Sequence, residues 1–135
     1  MYPPTLRELL LIACFGAAGA LARYGVWLGC QVFFNDYLGS KMAWGTLTVN
    51  LVGCFLLAAL AEIADADIGI TPEWRTALGV GLLGALTTFS TFGVETIGFV
   101  HKGHYLHAAA NVGLNLIGGL AMVAAGVAVA RWLTD

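Results

Sequence analysis

Residues 84–93 read Gly-Ala-Leu-Thr-Thr-Phe-Ser-Thr-Phe-Gly, a polar run inside a segment, residues 76–94, that has no Asp, Glu, Lys or Arg. A membrane-spanning helix needs about 20 mainly apolar residues, and this segment nearly reaches that length. Four hydroxyl groups and two glycines nevertheless fall within the run. The segment therefore predicts a membrane helix with an unusual polar centre.

The rest of the chain repeats the apolar pattern without the polar centre. Residues 42–61 and 103–130 also lack charged side chains, and a mainly apolar stretch from 9 to 34 has Arg23 as its only charged residue. Charged residues make up 10% of the 135 residues, whereas soluble domains carry about 25%. We predict an all-α, multi-pass membrane protein with a single domain, 1–135. Its four transmembrane helices are expected at about 5–34, 44–64, 72–102 and 105–133.

The charges flanking these helices leave the orientation in the membrane open. With four spans, both termini and the second loop share one side, which carries three arginines, while the other side carries two lysines. The arginines are Arg7, Arg75 and Arg131, and the lysines are Lys41 and Lys102. Orientation follows the Lys/Arg excess in short loops, and here the excess is small. Either this difference sets one orientation, or the chain inserts both ways and forms an antiparallel, dual-topology homodimer.

The polar run itself has two interpretations. Ser and Thr side chains can bond to backbone groups, so the third helix is either broken near its middle or continuous. Backbone that leaves a helix inside a membrane must line a cavity or be buried in protein, and transporters bind ions at such breaks. In a continuous helix, the hydroxyls would bond to carbonyls one turn earlier, and Phe89 and Phe92 would pack together.

Other polar residues at membrane depth favour an ion pathway. Asn50 lies in the second helix, Asn111 and Asn115 share a face of the fourth, Glu95 follows the polar run, and Arg23 lies within the first. Each can hold helices together, but ionisable groups at this depth are functional candidates. Together they predict a polar track across the bundle.

The donor chemistry of this track favours a small anion. Amide, hydroxyl and guanidinium groups donate hydrogen bonds, and the edges of phenylalanine rings carry partial positive charge. Backbone carbonyls freed by a helix break would instead suit a hard cation such as Na⁺.

Two other function classes stay open from the residues alone. A small proton-coupled exporter of the multidrug type depends on a carboxylate in the middle of its first helix, where this chain has only Glu8 near the start. A membrane scaffold that transports nothing is the other. We see no nucleophile–base pair and do not expect an enzyme, and the net charge of −2 gives no reason to expect nucleic acid.

Three segments resemble the Fluc (CrcB) family of fluoride channels, and the resemblance extends over nearly the whole chain. They are residues 16–24 (GAAGALARY), 45–55 (GTLTVNLVGCF) and 81–92 (GLLGALTTFSTF), of which the last is highly specific. The resemblance implies an antiparallel homodimer with two pores in the cell (inner) membrane, embedded in lipid. It also implies passive export of fluoride from the cytoplasm, which lowers fluoride toxicity.

The resemblance further assigns roles to individual positions. Phe89 and Phe92 match the phenylalanines that line the family's pore, and Asn50 matches the asparagine that donates to fluoride. Ser90 and Thr91 match hydroxyls of the helix break.

The remaining positions match the pore mouth and a cation site. Glu95 and Arg23 match polar positions near the mouth. Gly84 and Thr87 match positions whose backbone carbonyls hold one structural Na⁺, which is not transported, at the dimer centre.

The fourth helix departs from the family pattern. Asn111 stands where many members have Tyr, and Asn115 and Gly119 stand where serines often line the far half of the pore. Asparagine can still donate hydrogen bonds, so we expect Asn111 and Asn115 to line the pore.

Overall fold

The computed structural model describes residues 3–37, 41–66 and 69–134, and all the regular secondary structure in those residues is helical. Four helical segments there are long and apolar enough to cross a membrane, and we number them as the first to fourth spans. They are Leu6–Asp36, Trp44–Asp65, Pro72–His101 and Tyr105–Thr134. The prediction of an all-α protein with four helices fit to span a membrane is confirmed, and these bounds lie within two residues of the expected ones.

Most of the spans combine α-helical and π-helical segments. The first span is α1 (Leu6–Cys30), which continues as a π-helix over Gln31–Tyr37; the second is α2 (Trp44–Asp65). The third span comprises α3 (Pro72–Thr76), a π-helix over Ala77–Leu83, α4 (Gly84–Leu86) and α5 (Phe89–His101). The fourth comprises α6 (Tyr105–Gly113), a π-helix over Leu114–Gly118 and α7 (Gly119–Thr134).

Local sequence explains where the third span begins and ends. Thr71 caps α3, because its hydroxyl accepts the N–H of Trp74 at 3.5 Å, and Pro72 occupies the first helical turn. Proline suits that position because the first N–H groups of a helix have no intrahelical partner. After α5, Gly103 adopts a φ of +73°, a left-handed conformation that favours glycine and turns the chain into the fourth span.

The spans pack closely where glycines remove side-chain bulk. The first span packs on the early part of the third, and α2 packs on α7. A Cβ atom at Gly19 would collide with the carbonyl oxygen of Leu82, and one at Gly126 would collide with that of Phe55. Small residues of this kind let membrane helices approach through van der Waals contact, which replaces the hydrophobic driving force available in water.

Among the residues that the structure describes, three ion pairs connect the spans at the end that carries the N-terminal residues of α1. They are Arg7–Glu73 at 3.1 Å, Arg75–Asp65 at 2.8 Å and Arg131–Glu62 at 2.7 Å. The three arginines that sequence reasoning assigned to one side therefore lie at one end of the molecule. Because the arginines are exposed, each pair contributes little, about 0–1 kcal/mol.

We expect Gly19→Ala to lower the free energy of unfolding by about 1–3 kcal/mol, because the added methyl would overpack α1 against the Leu82 carbonyl. Gly29→Ala is the matched control in the same helix, since a Cβ there meets no atom within 4 Å. Chemical unfolding in detergent would measure both. Equal stability of the two variants would contradict the close packing at Gly19.

Candidate functional site

The third span is interrupted at Thr87 and Thr88. Both have extended backbone, with φ −83° and ψ 158° at Thr87 and φ −154° and ψ 115° at Thr88. The Thr87 hydroxyl donates to the carbonyl of Leu83 at 3.0 Å, as a continuous helix would have it. The Thr88 hydroxyl instead accepts the Thr91 N–H at 3.2 Å and so caps α5. The Thr87 hydroxyl therefore bonds to the last turn of the preceding helix, whereas the Thr88 hydroxyl caps the first turn of the following helix.

Asn50 of α2 satisfies the backbone at this interruption. Its Oδ1 accepts the Thr88 N–H at 2.9 Å, and its Nδ2 donates to the Thr88 carbonyl at 3.2 Å. Gly53, one turn further along α2, makes room for the approach, because a Cβ there would collide with Cγ2 of Thr87. A backbone group left unpaired in a membrane interior costs several kcal/mol. The Asn50 amide thus offsets the part of this penalty that falls on Thr88.

A chain of hydrogen bonds continues from Asn50 into the fourth span. Asn50 Nδ2 also donates to Asn115 Oδ1 at 2.9 Å. Asn115 Nδ2 donates to the Asn111 carbonyl oxygen at 2.9 Å and to Asn111 Oδ1 at 3.2 Å. Asn111, which is 0% exposed, donates to the Thr96 hydroxyl at 2.9 Å, and Thr96 donates to the Phe92 carbonyl at 2.8 Å. We name Asn50, Asn115, Asn111 and Thr96 the amide chain.

The two phenylalanines after the interruption differ in exposure. Phe89 is 78% exposed and Phe92 is 8% exposed, and their ring centroids lie 5.4 Å apart with the planes tilted by 52°. Both line a cleft of about 260 Å³ together with Asn50, Asn115 and the two extended threonines. Five of the sequence-predicted site residues, namely Asn50, Thr87, Phe89, Phe92 and Asn115, therefore meet in one place, which we name the Asn50 cleft.

Comparison with known proteins shows the family of this chain. The family model described as "CrcB-like protein, Camphor Resistance (CrcB)" matches residues 10–127. The chain belongs to the CrcB family. It is 40% identical over 121 residues to a protein from Leptospira interrogans, a match that covers 90% of this chain and 92% of the relative.

Two other relatives of this CrcB chain come from different bacteria. The one from Solidesulfovibrio magneticus is 43% identical over 126 residues, covering 93% of this chain and 98% of the relative. The one from Shewanella oneidensis is 43% identical over 111 residues, covering 82% of this chain and 86% of the relative. All three relatives are named "Fluoride-specific ion channel FluC". Membership of this family also confirms the prediction that the chain is not an enzyme.

A second cleft of this CrcB chain brings Arg23 near the helix interruption. The cleft, of about 280 Å³, is lined by Arg23, Thr46, Thr88 and Thr91 among others. Arg23 is half-buried, and its Nη1 donates a long hydrogen bond of 3.4 Å to the Thr87 carbonyl. Ser90 is exposed, and its hydroxyl lies 3.2 Å from that of Thr88. The second cleft therefore combines a guanidinium donor with the hydroxyl groups of three threonines.

Glu95 lies apart from the Asn50 cleft, in a smaller cleft of about 180 Å³. Its Oε1 accepts the Thr46 hydroxyl at 2.8 Å, while its Oε2 accepts nothing from the residues that the structure describes. Sequence reasoning missed Thr46, although that residue lies inside the GTLTVNLVGCF segment. It also missed Thr96. The available signal was its position one helical turn after Phe92, where a threonine hydroxyl can reach the Phe92 carbonyl.

The carbonyl groups at Gly84 and Thr87 fit the chemistry of a hard cation only in part. The Thr88 N–H, which a continuous helix would direct to the Gly84 carbonyl, bonds to Asn50 instead. That oxygen and the Thr87 oxygen are hard donors, but hard cations take about six oxygens, so one CrcB chain supplies too few. The Arg23 guanidinium near the Thr87 carbonyl also adds positive charge there.

We expect Thr88→Val to lower the free energy of unfolding by about 0.5–2 kcal/mol, because α5 loses the oxygen that caps its first turn. Thr88→Ser keeps that oxygen and should stay close to the parent protein. Thermal unfolding in detergent would compare the three proteins. Equal stability of the valine variant and the parent would show that the cap contributes nothing.

Proposed function

We propose that this chain is a passive, fluoride-selective channel that lets fluoride leave the cytoplasm across the cell (inner) membrane. The observation that carries the proposal is the Asn50 cleft, where an amide donor and two phenylalanine rings meet at an interrupted membrane helix. The names of the relatives support it, since each describes a fluoride-specific ion channel. Such a channel lowers the toxicity of fluoride.

The groups around the interruption suit a small, strongly hydrated anion. Its hydration shell must be replaced by short contacts with donors, and the amide of Asn50 and the hydroxyls of Ser90 and Thr91 are such donors. The positive edges of Phe89 and Phe92 can also face an anion. Chloride is larger than fluoride and fits closely spaced donors less well. This arrangement of donors therefore supports selectivity for fluoride over chloride.

An antiparallel, dual-topology homodimer with two pores accounts for the exposure of the Asn50 cleft. Phe89 is 78% exposed in a single chain, and a second copy placed over the cleft would enclose the ring and complete the pathway. The small Lys/Arg difference between the two ends supports insertion in both orientations. Glu95, Arg23, Asn111 and Asn115 then belong to the polar surroundings of each pore.

A structural Na⁺ at the dimer centre follows from the same arrangement. The carbonyls of Gly84 and Thr87 from two copies would bring four oxygens to one ion, closer to the number that a hard cation takes. The ion would hold the two copies together and would not be transported. Fluoride efflux measured with and without external and internal Na⁺ would test this, and equal dimer content and efflux in both conditions would contradict it.

Purified protein in liposomes tests the channel directly. We expect fluoride to leave fluoride-loaded proteoliposomes, while chloride stays in matched chloride-loaded ones. Equal chloride efflux would contradict selectivity. Proton-coupled transport of a cationic dye would instead support the multidrug-type exporter, which the structure favours less because Glu8 lies in the first turn of α1.

We expect Phe89→Ile and Phe92→Ile each to reduce fluoride efflux at least about tenfold at unchanged dimer yield, because isoleucine has no positively polarised ring edge. Phe33→Ile, in the first span, is the control and should keep the parent rate. Wild-type efflux from either cleft variant would remove that phenylalanine from the pathway.

A further inference from the structure

We propose that Asn115 is an internal competitor of the transported anion, and that Asn111 and Thr96 are positioning residues that hold it in that role. The inference rests on the proposed fluoride channel and concerns how tightly the Asn50 cleft holds its ion. In this proposal Asn115 competes with the anion and Asn111 positions Asn115. Neither asparagine donates a free N–H to the pore.

Both N–H groups of the Asn50 amide are already engaged. One donates to the Thr88 carbonyl at 3.2 Å and the other to Asn115 Oδ1 at 2.9 Å. The amide nitrogen has only two hydrogens, so an entering anion must displace one acceptor. Losing Asn50 would leave the Thr88 carbonyl at the helix interruption without this donor. Asn115 has a rotatable side chain at the edge of the same cleft, so it is the acceptor that yields.

The neighbours of Asn115 determine which end of its amide faces Asn50 in the empty cleft. Its Nδ2 donates to the backbone carbonyl of Asn111 at 2.9 Å, and a carbonyl oxygen can only accept. The Asn115 amide oxygen therefore points toward Asn50. If the amide were flipped, its oxygen would face the Asn111 carbonyl and its nitrogen would face the Asn50 nitrogen, so two contacts would become repulsive.

Asn111 is in turn held by Thr96. Asn111 is fully buried, its Oδ1 receives Asn115 Nδ2 at 3.2 Å, and its Nδ2 donates to the Thr96 hydroxyl at 2.9 Å. Thr96 donates its own proton to the Phe92 carbonyl at 2.8 Å, which leaves its oxygen free to accept from Asn111. Every bond in the amide chain consequently runs in one direction and ends on α5.

This arrangement places an acceptor dipole where the anion binds. The Asn115 oxygen carries partial negative charge, so it occupies the Asn50 donor when the cleft is empty and opposes an anion that enters. Conduction requires binding strong enough for entry and weak enough for exit. Asn115 supplies the weakening, because its amide oxygen competes with the anion for the Asn50 donor.

The test is the half-saturating fluoride concentration of efflux from proteoliposomes. We expect Asn115→Ala to lower it about three- to tenfold, the effect of removing one competing hydrogen bond, and to lower the maximal rate because the ion leaves more slowly. Asn115→Asp keeps the acceptor and adds negative charge, so it should raise the half-saturating concentration or abolish efflux. A merely structural defect would reduce the maximal rate without lowering the half-saturating concentration.

Thr96 provides an independent second test. Thr96→Val removes the acceptor of Asn111 and should shift the half-saturating concentration in the same direction as Asn115→Ala, whereas Thr96→Ser keeps the hydroxyl and should match the parent protein. An unchanged or raised value in Asn115→Ala would overturn the competitor role, and an unchanged value in Thr96→Val would overturn the positioning role. Absence of fluoride efflux from the parent protein would instead refute the proposed channel.

Discussion

The pair of hydrogen bonds between the Asn50 side chain and the Thr88 backbone supports the rest of the structure around the helix interruption. Hydrocarbon offers no water to satisfy an N–H and a carbonyl that leave a helix. One amide meets both needs because its oxygen accepts and its nitrogen donates. With Thr88 held in an extended conformation, α5 can begin at Phe89 and both phenylalanines follow at the edge of the Asn50 cleft.

The same amide links three of the four spans. Asn50 belongs to α2, Thr88 to the third span, and Asn115 to the fourth. The amide chain then returns from the fourth span to α5 through Asn111 and Thr96. Polar contacts between membrane helices contribute only about 0.6–2 kcal/mol each, so their importance here lies in fixing which way each donor points.

Much of this fold was predictable because the bilayer imposes simple rules on the sequence. Uncharged segments of sufficient length predict the four spans, and Thr71 and Pro72 predict the start of the third. The partners of the polar residues were not predictable, because they depend on how the spans pack. Asn50 and Thr88 lie 38 residues apart, and nothing local in the sequence connects Thr46 to Glu95 or Thr96 to Asn111. The sequence also could not show that Asn111, which we expected to line the pore, is completely buried and donates to Thr96.

The central claim is that one amide both holds the interruption and faces the anion. Asn50→Asp keeps the oxygen that accepts the Thr88 N–H but removes the N–H groups that donate to the Thr88 carbonyl and would donate to the anion. The carboxylate can still accept the Thr88 N–H, but it has no N–H to donate and repels an anion. Fluoride efflux from proteoliposomes that contain this variant is the most direct measurement, with thermal unfolding as the check on folding. We expect a folded protein whose efflux is at least about tenfold lower than that of the parent, since like charges in close contact cost several kcal/mol. Efflux at the parent rate would contradict the claim.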